Sequence, residues 1–243
     1  MHSAGELMTA VILAGGLATR LRPLTESLPK ALIEVNGRPF LQHQLELLRR
    51  NGISHVALLV GFLGEKIQEQ FGDGSAMGMR IDYSFDGPVL LGTAGAIRQA
   101  VPLLPERFFV LYGDSYLTCN YAAVERAFLS SGTQGLMTVY RNDGQFDTSN
   151  VEFDGVRIVR YDKTTPTANM RHIDYGLGAF ERKIFEAIPM GQKCDLASVY
   201  QQLLKEDDLA AYEVHERFYE IGSPEGLRDT SAFLAGWNRL THP

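Results

Sequence analysis

Two cations beside a glycine turn form the most chemically loaded stretch of this 243-residue sequence. Val11 to Thr25 reads VILAGGLATRLRPLT, and Leu28, Pro29 and Lys30 follow shortly after. The pair Gly15 and Gly16 lets the backbone turn sharply and approach a ligand, so that successive N–H groups point at anionic oxygens. Arg20 can fork two phosphate oxygens, and Lys30, just after Pro29, offers a compact point charge. The chemistry these groups suit is a phosphate grip. No G-x-x-x-x-G-K-[ST] is present, which argues against Mg-ATP held as in P-loop enzymes; no G-x-G-x-x-G is present either, so a dinucleotide site is not supported.

A second constellation is Phe109 to Ser115, FVLYGDS. An aspartate just beyond the carboxyl end of an apolar strand is where open α/β sheets place their ligands. The Asp114 carboxylate suits a hard Mg²⁺ ion, which keeps waters and binds substrate phosphates; taken alone, Asp114 serves equally as a strand-end turn residue capping local backbone. In Leu91 to Ala96, LGTAGA, Gly92 and Gly95 flank Thr93 and let backbone reach a flat base edge, while the helix that starts there can face a nucleotide. As an isolated motif it reads as a helix entry. Tyr112, Tyr116 and Tyr175 can stack on a base or sugar, although aromatic residues near strands more often belong to the core.

Composition removes several function classes. With 23 basic and 29 acidic residues the formal charge is −6, which argues against nucleic-acid or anionic-membrane partners. Cys119 and Cys194 supply neither a disulfide framework nor a zinc set, and free thiols are expected in a reducing cytosol. The six histidines show no metal spacing, and no G-x-S-x-G marks a serine hydrolase. Met1 to Met8 lacks an apolar signal core and no run approaches a membrane span, so a soluble, untargeted, cytoplasmic protein is expected.

These groups need a scaffold. Thr9 to Ala14 is a short β-branched apolar run, suited to a buried parallel strand that stops where glycine begins. Helix-spaced and strand-like segments then alternate: a helix over Phe40–Arg50, a strand over His55–Val60, a helix over Glu65–Phe71 and a strand over Arg80–Phe85. A helix over Thr93–Val101, a strand over Arg107–Tyr112, a helix over Tyr121–Leu129 and a strand over Gly135–Tyr140 follow, a pattern that builds a parallel sheet with crossovers. After Arg141 the character changes, and Val151 to Arg160 reads as a hairpin about Asp154 and Gly155. A strand over Ile173–Phe180, helices over Arg182–Ala187 and Leu196–Lys205, and a strand over Leu209–Val214 complete the body. In the final helix Ser223 can cap, Pro224 occupies the first turn, and Leu227, Phe233, Leu234 and Trp237 offer a packing face.

At the glycine–arginine–lysine stretch the chain resembles the sugar-phosphate nucleotidyltransferases, also called nucleotide-sugar pyrophosphorylases. Their opening motif reads approximately L-x-G-G-x-G-T-R-L-x-P-L-T followed by P-K; here Ala18 stands where the third glycine is usual. The resemblance runs from Val11 to about Leu227. It implies an α/β, Rossmann-like nucleotidyltransferase fold with a mostly parallel central sheet and a small antiparallel sugar-binding region, in one domain over residues 1–243. Residues 1–140 would mainly bind nucleotide, 141–222 mainly sugar phosphate, and 223–243 would form the C-terminal helix. Nucleotide contacts are implied for Leu13, Ala14, Gly15, Gly16, Thr19, Gly92, Thr93, Gly95 and Tyr112. Tyr161, Asp162 and Lys163 resemble the family's E-K-P stretch, so Lys163 would hold the sugar phosphate and Asp162 a sugar hydroxyl; read without the family, they are a surface ion pair of little value. Asp174 and Gly176 occupy the place of an N-x-G segment beside the sugar, and Asp174 changes an amide to an acceptor-only group. Asn150 is a further pocket candidate. For Mg²⁺ the implied ligands are Asp114, in the place of the family's G-D, and Glu220, where aspartate is usual in D-[IV]-G-T-P-E. Glu225 needs no role beyond favouring a helix first turn.

The reaction implied is nucleoside triphosphate plus sugar 1-phosphate giving nucleotide sugar plus pyrophosphate, by in-line attack with no covalent enzyme intermediate. Arg20 would bind the leaving pyrophosphate, Lys30 the α-phosphate, and Lys163 the acceptor phosphate. The L-G-T-[AG]-G form leans toward GTP with a heptose or mannose 1-phosphate. Uridylyl transfer to an amino-sugar or N-acetylmuramic acid 1-phosphate is the alternative, with cytidylyl and thymidylyl transfer behind it. A non-catalytic nucleotide-sugar-binding regulatory homologue, favoured by Ala18 and Glu220, is the alternative of another class. Family members are often multimers, so a homo-oligomer is within expectation. The chain ends soon after the last helix, so the left-handed β-helix that some relatives append, and the second activity it brings, are not expected.

Overall fold

The computed structural model describes residues 6–16, 27–87 and 89–241, with side chains to residue 236. The elements in chain order are β1 (Ala10–Ala14), β2 (Glu34–Val35), β3 (Arg38–Pro39), α1 (Phe40–Arg50), β4 (His55–Val60), α2 (Gly64–Phe71), β5 (Arg80–Phe85), α3 (Gly92–Ala100), β6 (Arg107–Tyr112) and β7 (Ser115–Leu117). There follow α4 (Tyr121–Ser131), β8 (Gly135–Arg141), β9 (Val151–Phe153), β10 (Ile158–Tyr161), β11 (His172–Glu181), α5 (Lys183–Glu186), α6 (Leu196–Lys205), β12 (Leu209–Val214), β13 (Phe218–Glu220) and α7 (Pro224–Thr241).

Strands β5, β4, β1 and β6 pair in parallel, with Ile12 opposite Leu58 and Leu111. β11 then lies antiparallel against both β6 and β8, and β12 closes that side in parallel with β8. The β9–β10 hairpin joins the start of β11, where His172 faces Val151. The central sheet therefore has nine strands among the described residues. β1 and most of β4 and β6 are apolar because both faces of the sheet are covered there, whereas the edge strand β5 carries Arg80, Asp82 and Ser84. Ala10 and Ile12 of β1 join the core beneath α1 and α4, whereas Val11 joins the core beneath α3, α5 and α6.

A third cluster, around Phe40, Tyr116, Ile221 and Leu234, seats α7 and the β2–β3 ribbon on the carboxyl edge of the sheet. Phe233 stacks on Tyr219 at a centroid distance of 4.0 Å. The Ser223 hydroxyl caps α7, accepting the Gly226 N–H at 2.9 Å. Sequence patterning assigns no strand to β7 or β13, which form an antiparallel ribbon of three residue pairs. That ribbon carries two of the groups singled out above.

Candidate active site

Glycines follow the carboxyl ends of β1, β4 and β6, and close backbone approach explains two of them. The Gly113 N–H donates to the Leu13 carbonyl at 2.9 Å, and a Cβ at Gly113 would stand 2.8 Å from that oxygen. A Cβ at Gly61 would stand 2.8 Å from the Gly15 carbonyl. The strand ends thus form the floor of a cleft of about 290 Å³, lined by Leu13, Ala14, Gly15, Gly16, Lys30, Asp86, Gly92, Thr93, Tyr112, Asp114 and Asp195 among others. Thr19 and Arg20, like Ala18, lie outside the described residues.

Lys30 opens a 3-10 turn, Lys30–Leu32, whose Ala31 and Leu32 are buried, so its stem is anchored while its ammonium faces the cleft. Lys30 Nζ lies 2.6 Å from Asp114 Oδ2. Asp114 in turn is tied to the C-terminal segment: its carbonyl accepts the Ile221 N–H at 2.9 Å, and Ser115 pairs with Glu220 across the β7–β13 ribbon. The Glu220 carboxylate accepts the Ser223 hydroxyl at 2.7 Å and the Gly222 N–H. The three groups converge on Gly222, where a Cβ would meet Glu220 Oε2 at 2.5 Å, Lys30 Nζ at 3.0 Å and Asp114 Oδ2 at 3.4 Å. Lys30, Asp114 and Glu220, separated by up to 190 positions, are therefore brought to one point.

Beside this point lies a second basic group. Lys163 Nζ is 3.2 Å from Asp174 Oδ2 and donates to the Tyr112 hydroxyl at 3.2 Å. The Asp174 side chain is only 2% exposed, and it also accepts the Tyr161 hydroxyl at 3.2 Å and the Gly176 N–H at 3.1 Å. Burial opposes the charge on Lys163, but the neighbouring Asp174 and Tyr112 outweigh it and hold its pKa above the ordinary lysine value. Burial, reinforced by the Asp174 charge, pushes the Tyr112 hydroxyl up to about 12, so it remains a neutral phenol. Gly176 takes a φ of +99° where the β11–β8 register shifts between Asp174 and Gly178, a left-handed conformation that favours glycine. Asn150 braces the start of β11: its Oδ1 accepts the Asp174 N–H at 2.9 Å and its carbonyl accepts the Asp162 N–H at 3.0 Å. Asp162 organises its own loop, accepting the Thr165 N–H, the Thr164 N–H and the Thr164 hydroxyl at 2.8–2.9 Å; these bonds hold its pKa down to about 2.

The Gly92–Gly95 motif has a packing role within the chain. Gly92 has a φ of +72°, and a Cβ there would stand 2.6 Å from the Cys194 carbonyl; one at Gly95 would stand 2.8 Å from that of Gln192. The Cys194 carbonyl accepts the Ala94 N–H at 2.9 Å and the Gly95 N–H at 3.1 Å, so chain rather than ligand occupies those first donors of α3. Thr93 Oγ1 returns the contact by accepting the Leu196 N–H at 2.7 Å, capping α6 in place of the preceding Asp195. Asp195 makes no capping bond and lines the cleft instead. Asp86 is the other acid that sequence reasoning missed. Burial raises its pKa, opposed by a hydrogen bond from the Leu91 backbone. Nothing in the sequence separates Asp86 from a turn aspartate or Asp195 from an ordinary helix cap. No group of three or more His, Cys, Asp or Glu side chains poised for a metal occurs among the described residues. No helix among them is long and apolar enough to cross a membrane.

Comparison with known proteins gives this site a family. The chain is 29% identical over 238 residues, 95% of its own length and 100% of the relative's, to an N-acetylmuramate alpha-1-phosphate uridylyltransferase from Neisseria meningitidis serogroup B. It is also 29% identical over 219 residues, 90% of its length and 96% of the relative's, to a D-glycero-alpha-D-manno-heptose 1-phosphate guanylyltransferase from Campylobacter jejuni. Other curated relatives are longer, and the chain spans 58% to 67% of their length. The fold matches a crystal structure from Bacillus anthracis, of a protein named as a glucose-1-phosphate thymidylyltransferase, with a TM-score of 0.83 at 19% identity over 93% of this chain and 95% of that one. The model of the family described as "Nucleotidyl transferase" matches residues 9–236, and the chain belongs to that family.

Proposed function

We propose that the protein joins a nucleoside triphosphate to a sugar 1-phosphate, releasing pyrophosphate. The observation that carries this reading is the convergence of Lys30, Asp114 and Glu220 on Gly222, at the edge of a cleft whose Tyr112 also holds Lys163. A nucleotide in the cleft has Lys30 beside its reacting phosphate, while Lys163, across Tyr112, is placed to hold the phosphate of the acceptor. An oxygen of the sugar phosphate attacks the α-phosphorus, the bond to the β-phosphate bridging oxygen breaks, and pyrophosphate leaves with that electron pair. Catalysis then rests on placement and charge neutralisation, with Arg20 assigned to the departing pyrophosphate.

Glu220 ends β13 opposite Ser115, and Asp114 immediately precedes β7, so the two carboxylates are hard oxygen donors at one end of the ribbon, an arrangement that fits Mg²⁺ completed by phosphates and water. Such an ion would supply charge neutralisation at the phosphate oxygens. Asp86 and Asp195 favour GTP. A carboxylate has two adjacent acceptors, and guanine alone among the common bases presents two adjacent donors, N1–H and N2–H₂, on its pairing edge. Heptose or mannose 1-phosphate is the acceptor proposed with it, supported by the likeness to guanylyltransferases named for those sugars. A second reading, UTP with N-acetylmuramic acid or another amino-sugar 1-phosphate, is favoured by the end-to-end match to the Neisseria relative.

Pyrophosphate release in the presence of Mg²⁺, with five triphosphates crossed against mannose, glucose, N-acetylglucosamine, N-acetylmuramic acid and heptose 1-phosphates, tests both. Release confined to GTP with heptose or mannose supports the first reading, and release confined to UTP with an amino sugar supports the second. Nucleotide binding without release from any pair overturns both in favour of a regulatory homologue.

A further inference from the structure

Helix α1 turns an apolar face to the core through Leu41, Leu45 and Leu48, yet Gln44 is as deeply buried, at 1% exposure. Its Nε2 donates to the Tyr112 carbonyl at 2.9 Å and to the Ser115 carbonyl at 2.7 Å. Those carbonyls bracket Gly113 and Asp114, so one amide group grips the chain where it enters the turn and where it leaves. Its Oε1 is buried with no hydrogen-bond partner among the described residues. A buried acceptor without a partner is destabilising, so stability alone does not account for an amide at this position.

We infer that Gln44 is a positioning residue that sets the direction of the Asp114 carboxylate, an inference that rests on the proposed role of Asp114. The turn is held from three sides. Gly113 N–H is tied to β1, the Asp114 carbonyl is tied to Ile221, and Gln44 supplies the only one of these restraints that comes from a helix. Only an amide of this length spans both carbonyls: an isosteric methionine leaves both without a donor, and asparagine, one methylene shorter, reaches one. With the brace removed the turn can rotate, and Asp114 Oδ2 leaves the point it shares with Lys30 and Glu220.

The test is binding of Mn²⁺ alone to the protein, followed through the loss of the free-ion electron paramagnetic resonance signal, alongside kcat, KM and melting temperature. Gln44→Met should weaken Mn²⁺ by about tenfold or more, the range typical of removing an outer-shell partner. It should lower kcat with the KM for nucleotide nearly unchanged. Gln44→Asn should fall between Met and wild type, and decides the matter if the methionine variant does not fold. Leu45→Val, a core change on the same helix, should lower the melting temperature yet keep wild-type Mn²⁺ affinity. Wild-type Mn²⁺ affinity in folded Gln44→Met or Gln44→Asn overturns the positioning role. Equal weakening in Leu45→Val overturns it too, because the loss then reports stability alone. Wild-type protein that neither binds Mn²⁺ nor releases pyrophosphate from any pair instead overturns the proposed function, and the inference with it.

Discussion

Replacing Gly222 with alanine is the sharpest probe of the convergence point. The backbone there is outside the left-handed region, so the substitution carries no conformational penalty of that kind. The added methyl would stand 2.5 Å from Glu220 Oε2 and 3.0 Å from Lys30 Nζ. Ordinary contact requires roughly 3.5 Å, so the carboxylate must retreat by about 1 Å and the ammonium by about half that. A misplacement of about 1 Å at reacting groups costs on the order of 100-fold in rate, or about 2.7 kcal/mol of barrier. Stability should suffer far less, because both displaced groups are ends of side chains. A cost of about 1 kcal/mol, at the low end for overpacking, lowers the melting temperature of a domain this size by roughly 2–4 °C. Turnover from the pyrophosphate release assay, set beside differential scanning calorimetry, separates the two effects. Wild-type turnover in a folded Gly222→Ala protein would refute the claim that Lys30, Asp114 and Glu220 act together at this point.

Four further outcomes follow from the geometry. Asp86→Asn should reduce the preference for GTP over UTP by roughly 10- to 100-fold in kcat/KM, the worth of one well-made base contact, and an unchanged ratio removes Asp86 from base reading. Lys163→Met should raise the KM for the sugar phosphate by about tenfold or more while leaving that for the nucleotide alone; a reversed pattern would exchange the two subsites. Thr93→Val deletes the hydroxyl that accepts the Leu196 N–H, and should cost about 1 kcal/mol in denaturant unfolding. His43 is buried, and burial, aided by Arg38 against an opposing bond to the Val35 carbonyl, lowers its pKa. The unfolded chain therefore takes up a proton at His43 near pH 6.5 that the native state refuses, so stability is present above that pH and falls as the pH drops through 6.5 toward the lowered native value. His43→Gln should flatten the dependence of the melting temperature on pH in that window, and an unaltered slope would assign it to other groups.

Much of the sheet was legible because central parallel strands are written as apolar runs and the edge strand as an alternation. His55–Val60, Arg80–Phe85 and Arg107–Tyr112 match the observed β4, β5 and β6 to the residue. β7 and β13 were not legible, since three residues carry no measurable period. Lys30, Asp114 and Glu220 stood out by type and motif, but that they share one point follows from the β7–β13 pairing. Gln44 stands three residues after Leu41 and four before Leu48, on the apolar face of its helix, and only tertiary packing reveals the two carbonyls that its amide holds. Gly92 and Gly95 signalled close approach, and the approaching groups in the structure are the carbonyls of Cys194 and Gln192, about a hundred positions away and beyond what local pattern encodes.

The placement of β11 beside β6 makes the sheet a ruler. Tyr112 ends one strand and Asp174 lies near the start of its neighbour, so the distance between the proposed donor and acceptor subsites is set by strand spacing and hydrogen-bond register rather than by a hinge between lobes. One residue gained or lost between Asp174 and Leu177 would turn the following side chains to the opposite face, or move Asp174 along the sheet by about 3.4 Å, more than in-line attack tolerates. The 142–150 and 163–171 connections can therefore change length without moving this register, whereas the Asp174–Leu177 stretch of β11 must keep its length for the proposed reaction to run.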